Sequence, residues 1–200
     1  QLGADLLVVA LLGLLDPLQV VLQALLVLEG VDVDALELLA VLVAAPVGAR
    51  HGADLEGGVI AVMTSSGQAA SMYSVLNIAK AGDHVICSSA IYGGTFNLFN
   101  KTLRDLGIGF TFVSPEISAE ELEKAFRPNT KAVFGETISN PSLDVLDIEL
   151  FANAAHAHGV PLIVDNTFAT PVNCRPIEFG ADIVTHSTTK YMDGHACAIG

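Results

Sequence analysis

Several residues that could do chemistry come directly after apolar runs of this sequence. Asp165 ends the run PLIV, where a carboxylate is costly to bury unless a cation or a strong donor faces it. Lys190 follows after one crossover and one further apolar run, and it is preceded by Ser187, Thr188 and Thr189. This spacing suits two neighbouring strand ends of one sheet. An acid and an amine placed in this way form either a salt bridge or part of a reactive site.

A hydroxyl-rich turn follows the first apolar run, GVIAVM. It comprises Thr64, Ser65, Ser66, Gly67 and Gln68, and a helical pattern begins within it. The free N–H groups and the dipole of a helix N-terminus favour a phosphate group. A plain helix cap explains such a turn equally well, so the turn alone does not establish a phosphate site.

Two more candidates follow other runs. Tyr92 lies beside two glycines after HVICS, where its ring could stack on a planar ligand or could simply pack over the turn. Asn140 precedes Pro141, which favours an extended conformation that can aim the amide into a crevice. An ordinary turn residue would satisfy the same pattern.

One cofactor explains these residues together, and it is pyridoxal phosphate. Lys190 would bind its aldehyde as a Schiff base, Asp165 would keep the pyridine nitrogen protonated, and Tyr92 would stack on the ring. A simple salt bridge between Asp165 and Lys190 remains the structural alternative. That alternative leaves the hydroxyls and the turn unexplained.

An α/β fold would place these residues at one edge. Apolar runs alternate with helical patterns from residue 55 onward, which predicts a mostly parallel sheet covered by helices on both faces. The predicted strands are 58–63, 84–88, 109–113, 131–136, 161–166 and 182–187, and the predicted helices are 67–80, 93–106, 118–126 and 147–158. In such a sheet, ligands bind beyond the carboxyl ends of the strands.

The composition changes near residue 54. Residues 1–54 are rich in Leu, Val and Ala, and they contain no Lys, Phe or Tyr and a single arginine, Arg50. Their apolar residues are too dense to define one helix face. We predict an atypical segment over residues 1–54, which is either not a functional module or a buried or interface helical hairpin. Residues 55–200 are predicted to be part of a cofactor-binding domain.

The charge, the longest apolar run and the cysteines make several classes of protein unexpected. With 9 basic and 22 acidic residues the net charge is −13, so nucleic acid is not an expected partner. The apolar run 6–15 ends at Asp16-Pro17, short of the roughly 20 residues that span a bilayer. The 3 cysteines fit neither a disulfide framework nor a zinc site, which favours a cytoplasmic protein without a metal. His186 and His195 flank the lysine, where core or turn roles are favoured over tuning it.

The second part of the chain resembles the Cys/Met-metabolism family of pyridoxal-phosphate enzymes, which have the aspartate-aminotransferase fold. The strings that carry the resemblance are SSGQAA, AGDHVICSSAIYGGTFNLF, ETISNPSLDVLDIE, GVPLIVDNTFATP and CRPIEFGADIVTHSTTKYMDGH. Within the family, SSGQAA, NLFNKTL and STTKYMDGH are most similar to the O-acetylhomoserine sulfhydrylases.

The resemblance implies a role for each polar residue. Lys190 is the Schiff-base lysine, Asp165 pairs with the pyridinium nitrogen, and Tyr92 stacks on the ring and assists proton movement. The implied cofactor-binding set is Ser66, Gly67, Gln68, Tyr92, Asn140, Asp165, Thr167, Ser187, Thr189 and Lys190. Of these, the turn and the hydroxyls before the lysine contact the phosphate, and the asparagine lies near the phenolic oxygen.

The implied reaction is γ-replacement on O-acetylhomoserine by sulfide or a thiol, with acetate leaving and homocysteine or methionine formed. The alternatives are a cystathionine γ-synthase, cystathionine γ-lyase or methionine γ-lyase activity, or a catalytically silent fragment that binds the cofactor. A homo-oligomer is expected, because sites in this family lie between subunits.

Two features of the family are not found in this sequence. The family has a Tyr-x-Arg motif upstream of LEGG that binds the neighbouring subunit's phosphate, whereas the first tyrosine here is Tyr73. The carboxy-terminal domain, with its arginine for the substrate carboxylate, is expected to be missing. We therefore expect this chain to encode the cofactor chemistry without the whole substrate site.

Overall fold

The computed structural model describes residues 5–9 and 47–195, with side chains from residue 52 onward. In these residues seven strands form one sheet: β1 Asp5–Val9, β2 Ile60–Thr64, β3 His84–Ser88, β4 Gly109–Val113, β5 Thr130–Glu136, β6 Leu162–Asp165 and β7 Ile183–Thr185. Their order across the sheet is β2-β1-β7-β6-β5-β3-β4.

Helices cover both faces of the sheet. The α-helices are α1 Val47–Glu56, α2 Gly67–Leu76, α3 Gly93–Asn97, α4 Ala119–Glu123, α5 Ile148–Ala157 and α6 Thr170–Asn173. A π-helix, Leu98–Leu103, continues α3, and a 3-10 helix covers Pro176–Phe179. The predicted helix 93–106 is therefore present, but its middle is wound as a π-helix.

The predicted mostly parallel α/β sheet is confirmed. The pairs β3–β4, β3–β5, β5–β6 and β6–β7 are all parallel. Strands β3 and β4 have the predicted bounds, and the other predicted strands agree within two residues at each end. Every residue of β3 and β7 is buried, as expected for strands that are covered on both faces.

The first strand was not predicted. β1 lies between β2 and β7 and is antiparallel to both. The compositional boundary at residue 54 falls inside α1, Val47–Glu56. Residues 10–46, which include most of the predicted hairpin, lie outside the described residues. No helix within the described ranges is long and apolar enough to cross a membrane.

The core is divided between the two faces of the sheet. On one face, Phe151 of α5 packs with Val133 and Val164. On the other face, Phe99 contacts Phe134 edge-on, with ring centroids 4.8 Å apart. Successive residues of a strand point to opposite faces of the sheet. The polar residues that follow β5, β6 and β7 are therefore expected to lie on both faces as well. The ends of these three strands hold the candidate site.

Candidate cofactor site

The carboxyl ends of three parallel strands meet at one edge of the sheet. The register pairs Glu136 of β5 with Asp165 of β6, and Asp165 with Thr185 of β7. The strand-end alignment anticipated from the sequence is therefore present at this edge. It brings together Asp165, a predicted site residue, and Glu136, which was not predicted.

Asp165 is held by hydrogen-bond donors rather than by the lysine. Its Oδ1 accepts the Thr167 hydroxyl at 2.6 Å and the Thr167 N–H at 3.0 Å. Burial raises the pKa of Asp165, while the Thr167 hydrogen bonds and the charge of His186 act in the opposite direction. Within residues 52–195 the ion pairs do not include one between Asp165 and Lys190. The salt-bridge alternative for this pair is thus not seen in the described structure.

Thr167 also connects Asp165 to the lysine segment. The Ser187 N–H donates to Thr167 Oγ1 at 2.8 Å, and the same hydroxyl donates to Asp165. Lys190 follows three residues later with an exposed side chain, and Ser187 and Thr189 are partly exposed. The chain of two hydrogen bonds places the start of the lysine segment beside the carboxylate.

The predicted phosphate turn lies against the lysine segment. Ser66 caps α2, its hydroxyl accepting the Ala69 N–H at 3.1 Å, so the cap explanation holds for this side chain. A Cβ added to Gly67 would lie 2.7 Å from the Cβ of Ser187. The glycine therefore leaves a cradle between the start of α2 and Ser187 that a side chain would fill. Gln68 is tied to the next helix through Thr95 Oγ1, at 2.9 Å.

Tyr92 packs over its own turn and still presents a face to solvent. A Cβ on Gly94 would lie 2.5 Å from the Tyr92 ring, so the ring lies directly over that glycine. The side chain remains 50% exposed. Both explanations considered from the sequence, packing over a turn and availability for stacking, are compatible with this position.

Glu136 is an additional carboxylate at this edge. It is buried, and its Oε2 accepts the Tyr92 N–H at 2.6 Å. Burial and the neighbouring charge of Asp165 raise the pKa of Glu136 to about 8, against the opposing effect of the Tyr92 hydrogen bond. The available sequence signal was the acid that closes the run KAVFGE at a strand end, as Asp165 closes its own run.

A second polar cluster lies behind the strand ends. His186 Nε2 is 2.5 Å from Glu56 Oε1, and neither side chain has any exposed surface. Asn166 donates to the same Glu56 oxygen at 2.8 Å and accepts the Thr137 hydroxyl at 2.7 Å. Glu56 thereby connects α1 to residues that follow β5, β6 and β7. The core role favoured for His186 agrees with this position.

Asn140 is not brought into this cluster. It is exposed and lies in the 137–146 loop, which an Ile138–Val145 bridge closes, and its peptide bond to Pro141 is cis. No side-chain hydrogen bond of Asn140 appears in the described part of the chain. Its predicted contact with the cofactor therefore stays a prediction.

Comparison with known proteins identifies the family. The model of the Cys/Met metabolism PLP-dependent enzymes matches residues 49–200. The chain belongs to this family. The resemblance inferred from the sequence motifs is confirmed, and the family is one whose members depend on pyridoxal phosphate.

Curated relatives include several sulfhydrylases and lyases of this family. The chain is 52% identical over 148 residues to an O-acetyl-L-homoserine sulfhydrylase of Corynebacterium glutamicum, which covers 74% of the chain and 34% of that protein. It is 48% identical over 147 residues to a cystathionine gamma-lyase of Bacillus subtilis, covering 74% of the chain and 38% of that protein. The chain thus spans about a third of the length of these relatives.

Solved structures of the family agree with the fold. One, from Campylobacter jejuni, is described as an O-acetylhomoserine (thiol)-lyase with N′-pyridoxyl-lysine-5′-monophosphate, at 38% identity and a TM-score of 0.73. It covers 76% of this chain, which spans 37% of that chain. The metB structure from Corynebacterium glutamicum gives a TM-score of 0.71 at 38% identity, covering 74% and 38% of the two chains.

The residues present fit the cofactor of this family. The cradle at Gly67 lies at a helix N-terminus, where N–H groups face outward and favour a phosphate. Asp165 is a half-buried carboxylate whose Oδ1 has two donors. A helix N-terminus with room for an anion and a carboxylate with two donors lie at one sheet edge, as the two polar ends of pyridoxal phosphate require.

Proposed function

We propose that this chain is the cofactor-binding part of a pyridoxal-phosphate enzyme that replaces the acetoxy group of O-acetylhomoserine by sulfide or a thiol. Acetate leaves, and homocysteine or methionine is formed. The hydrogen-bonded chain from Ser187 through Thr167 to Asp165 carries the proposal, because it joins the lysine segment to the carboxylate. The names of the sulfhydrylase relatives support the choice of substrate.

Different residues bind the phosphate and the pyridine nitrogen of the cofactor. The N–H groups of Gly67 and Gln68, with the hydroxyls of Ser187 and Thr189, bind the phosphate, and Ser66 holds their turn by capping α2. At the other end Asp165 holds a proton on the pyridine nitrogen. Charge-assisted hydrogen bonds of this kind are the stronger ones.

The remaining side chains act at the ring and the reacting carbons. When bound, pyridoxal phosphate supplies a carbonyl for the substrate amine and a ring that accepts electrons. Lys190 binds the carbonyl carbon and then moves protons between substrate carbons. Tyr92 lies on the ring face, Thr167 orients Asp165, and Asn140 serves the phenolic oxygen. The enzyme is a homo-oligomer.

An absorbance experiment tests the cofactor assignment. Purified chain is loaded with pyridoxal 5′-phosphate, and a visible band is measured in the wild type, in Lys190→Ala and in Lys101→Ala. We expect the band in the wild type and in Lys101→Ala, whose exposed lysine lies on the π-helix, and its loss in Lys190→Ala. Folded wild-type protein without the band would contradict the assignment.

Product analysis separates the reaction classes. Homocysteine or methionine formed together with acetate, from O-acetylhomoserine and sulfide or a thiol, supports the replacement reaction. Ammonia and a keto acid formed from cystathionine would favour the lyase alternative instead. That alternative is supported by relatives named cystathionine gamma-lyase and cystathionine beta-lyase at 48% and 50% identity. Cofactor binding without either product indicates the catalytically silent fragment.

A further inference from the structure

Two carboxylates face each other across neighbouring strands at the cofactor site. Glu136 and Asp165 are directly paired in the parallel register of β5 and β6. Neighbouring strands lie about 4.8 Å apart, and paired residues project from the same face. The charge of Asp165 acts on Glu136, and two interacting negative charges that are shielded from water do not both persist without a large cost. The pair is therefore expected to share one negative charge near neutral pH.

Hydrogen bonding decides which carboxylate carries the charge. Asp165 accepts two hydrogen bonds from Thr167, at 2.6 and 3.0 Å, and these bonds lower its pKa. Glu136 accepts one, from the Tyr92 N–H. Burial raises the pKa of both carboxyl groups, so the number of donors is what distinguishes them. Asp165 is the better supported anion, which leaves the proton on Glu136.

The contact between Glu136 and Tyr92 joins the strand pair to the aromatic turn. At 2.6 Å it is short for a bond from a backbone N–H. It joins residues 44 positions apart in the chain, so it depends on the register of the whole sheet. Tyr92 directly precedes α3, and its N–H is an orphan donor that a side chain must satisfy.

We propose that Glu136 is a positioning residue of the site, which fixes the Tyr92 backbone and keeps its own proton so that the negative charge of the strand pair resides on Asp165. The inference rests on the proposed cofactor site and adds a residue that the family resemblance did not supply. Glu136 acts through Tyr92 and Asp165, both of which are placed at the cofactor ring.

The groups that face Glu136 come from three sides. Asp165 of β6 raises the pKa of Glu136, together with burial, to about 8. The Tyr92 N–H opposes that shift. Cys87 of β3 is uncharged, because burial raises the pKa of its thiol well above its usual value. Deprotonation of Glu136 therefore adds a second negative charge to this edge of the sheet.

The ligand-free chain provides the first test. Carbon-13 NMR follows the side-chain carboxyl groups, and the Glu136 signal is expected to titrate near pH 8 in the wild type and at lower pH in Asp165→Asn. Amide hydrogen exchange at Tyr92 is expected to speed up about tenfold in Glu136→Ala, which lacks the acceptor. Glu136→Gln retains an acceptor oxygen and should protect the amide, as should the exposed control Glu116→Gln. A Glu136 midpoint in the ordinary range, or unchanged exchange in Glu136→Ala, overturns the proposal.

The loaded chain provides the second test. Glu136→Ala is expected to bind pyridoxal 5′-phosphate about tenfold more weakly, whereas Glu136→Gln binds within about twofold of the wild type at pH 7. Around pH 8 the pH profile of the visible band in Glu136→Gln should differ from that of the wild type. The profile of Glu116→Gln should be the same as that of the wild type. If the affinity for the cofactor and the pH profile of the visible band are the same in all variants, the positioning role of Glu136 is refuted and the proposed function is not. Absence of a lysine-dependent band in the wild type, with the NMR and exchange results as expected, refutes the proposed function and not the role of Glu136 in placing Tyr92.

Discussion

The Thr167 hydroxyl donates to Asp165 Oδ1 at 2.6 Å and at the same time accepts the N–H that begins the lysine segment. One hydroxyl thereby orients the carboxylate and fixes its distance from the next strand end. The family resemblance placed Thr167 in the cofactor-binding set without a specific role. In the structure it is the direct support of Asp165.

Removal of this hydroxyl is predicted to weaken the site. Thr167→Val retains the shape but leaves only the N–H donor, so the pKa of Asp165 should rise, because both Thr167 hydrogen bonds lower it. Affinity for pyridoxal 5′-phosphate should fall about tenfold. Carbon-13 NMR of the carboxyl groups and an absorbance titration measure the two effects. Thr167→Ser and the exposed control Thr102→Val should resemble the wild type, and equal midpoints in all variants would refute the prediction.

Gly67→Ala is predicted to close the cradle. The added methyl group would lie 2.7 Å from the Cβ of Ser187, so one segment must move, at a cost of about 1–3 kcal/mol. Urea unfolding measures that cost, and an absorbance titration measures the expected loss of affinity for the cofactor. Gly93→Ala is the matched control, since Gly93 also begins a helix and no atom lies within 4 Å of its Cβ position. Equal affinity in both variants would show that the cradle does not serve the phosphate.

The Glu56–His186 pair is predicted to stabilise the strand ends. Neither side chain has exposed surface, so Glu56→Ala leaves a buried group unpaired and should lower the free energy of unfolding by about 3–5 kcal/mol. Chemical denaturation measures the change. The control is the exposed Glu123–His158 pair, 2.8 Å apart, for which Glu123→Ala should cost under about 1 kcal/mol. Similar losses for the two pairs would contradict the prediction.

The free energy of unfolding is predicted to depend on pH through His84. His84 is buried between the hydroxyls of Thr130 and Thr111, at 2.8 Å from each. Burial, and to a lesser extent the charge of Arg127, lowers the pKa of His84 to about 4. The unfolded chain binds this proton below about pH 6.5, so its contribution to stability is complete above that value and is lost as the pH falls towards 4.

The expected loss from His84 is about 1–3 kcal/mol across this window. Denaturation curves recorded from pH 7 to pH 4 measure this loss. The free energy of unfolding should fall more steeply with decreasing pH in the wild type than in His84→Gln, which has no titrating group at this position. The difference between the two slopes is the relevant quantity, since other groups titrate in both proteins. Parallel curves would show that His84 does not carry the effect.

Part of the fold could be read directly from local sequence. The runs HVICS and GFTFV have the predicted bounds, because a short apolar run between polar turns fits a strand buried on both faces. The first strand could not be predicted, since a dense apolar segment has no period that distinguishes strand from helix. The π-helical turn after α3 has no local signature either.

By itself the sequence determined the family, the α/β class and the positions of the acid, the lysine and the glycine turn, because these depend on residue type and on distance along the chain. Only the tertiary structure placed Gly67 against Ser187, Glu136 beside Asp165, and the Tyr92 N–H on Glu136. Each of these contacts joins distant parts of the chain through sheet register and helix packing. A shift of one residue in register turns every side chain of a strand to the opposite face, so such contacts follow from the assembled sheet and not from local sequence.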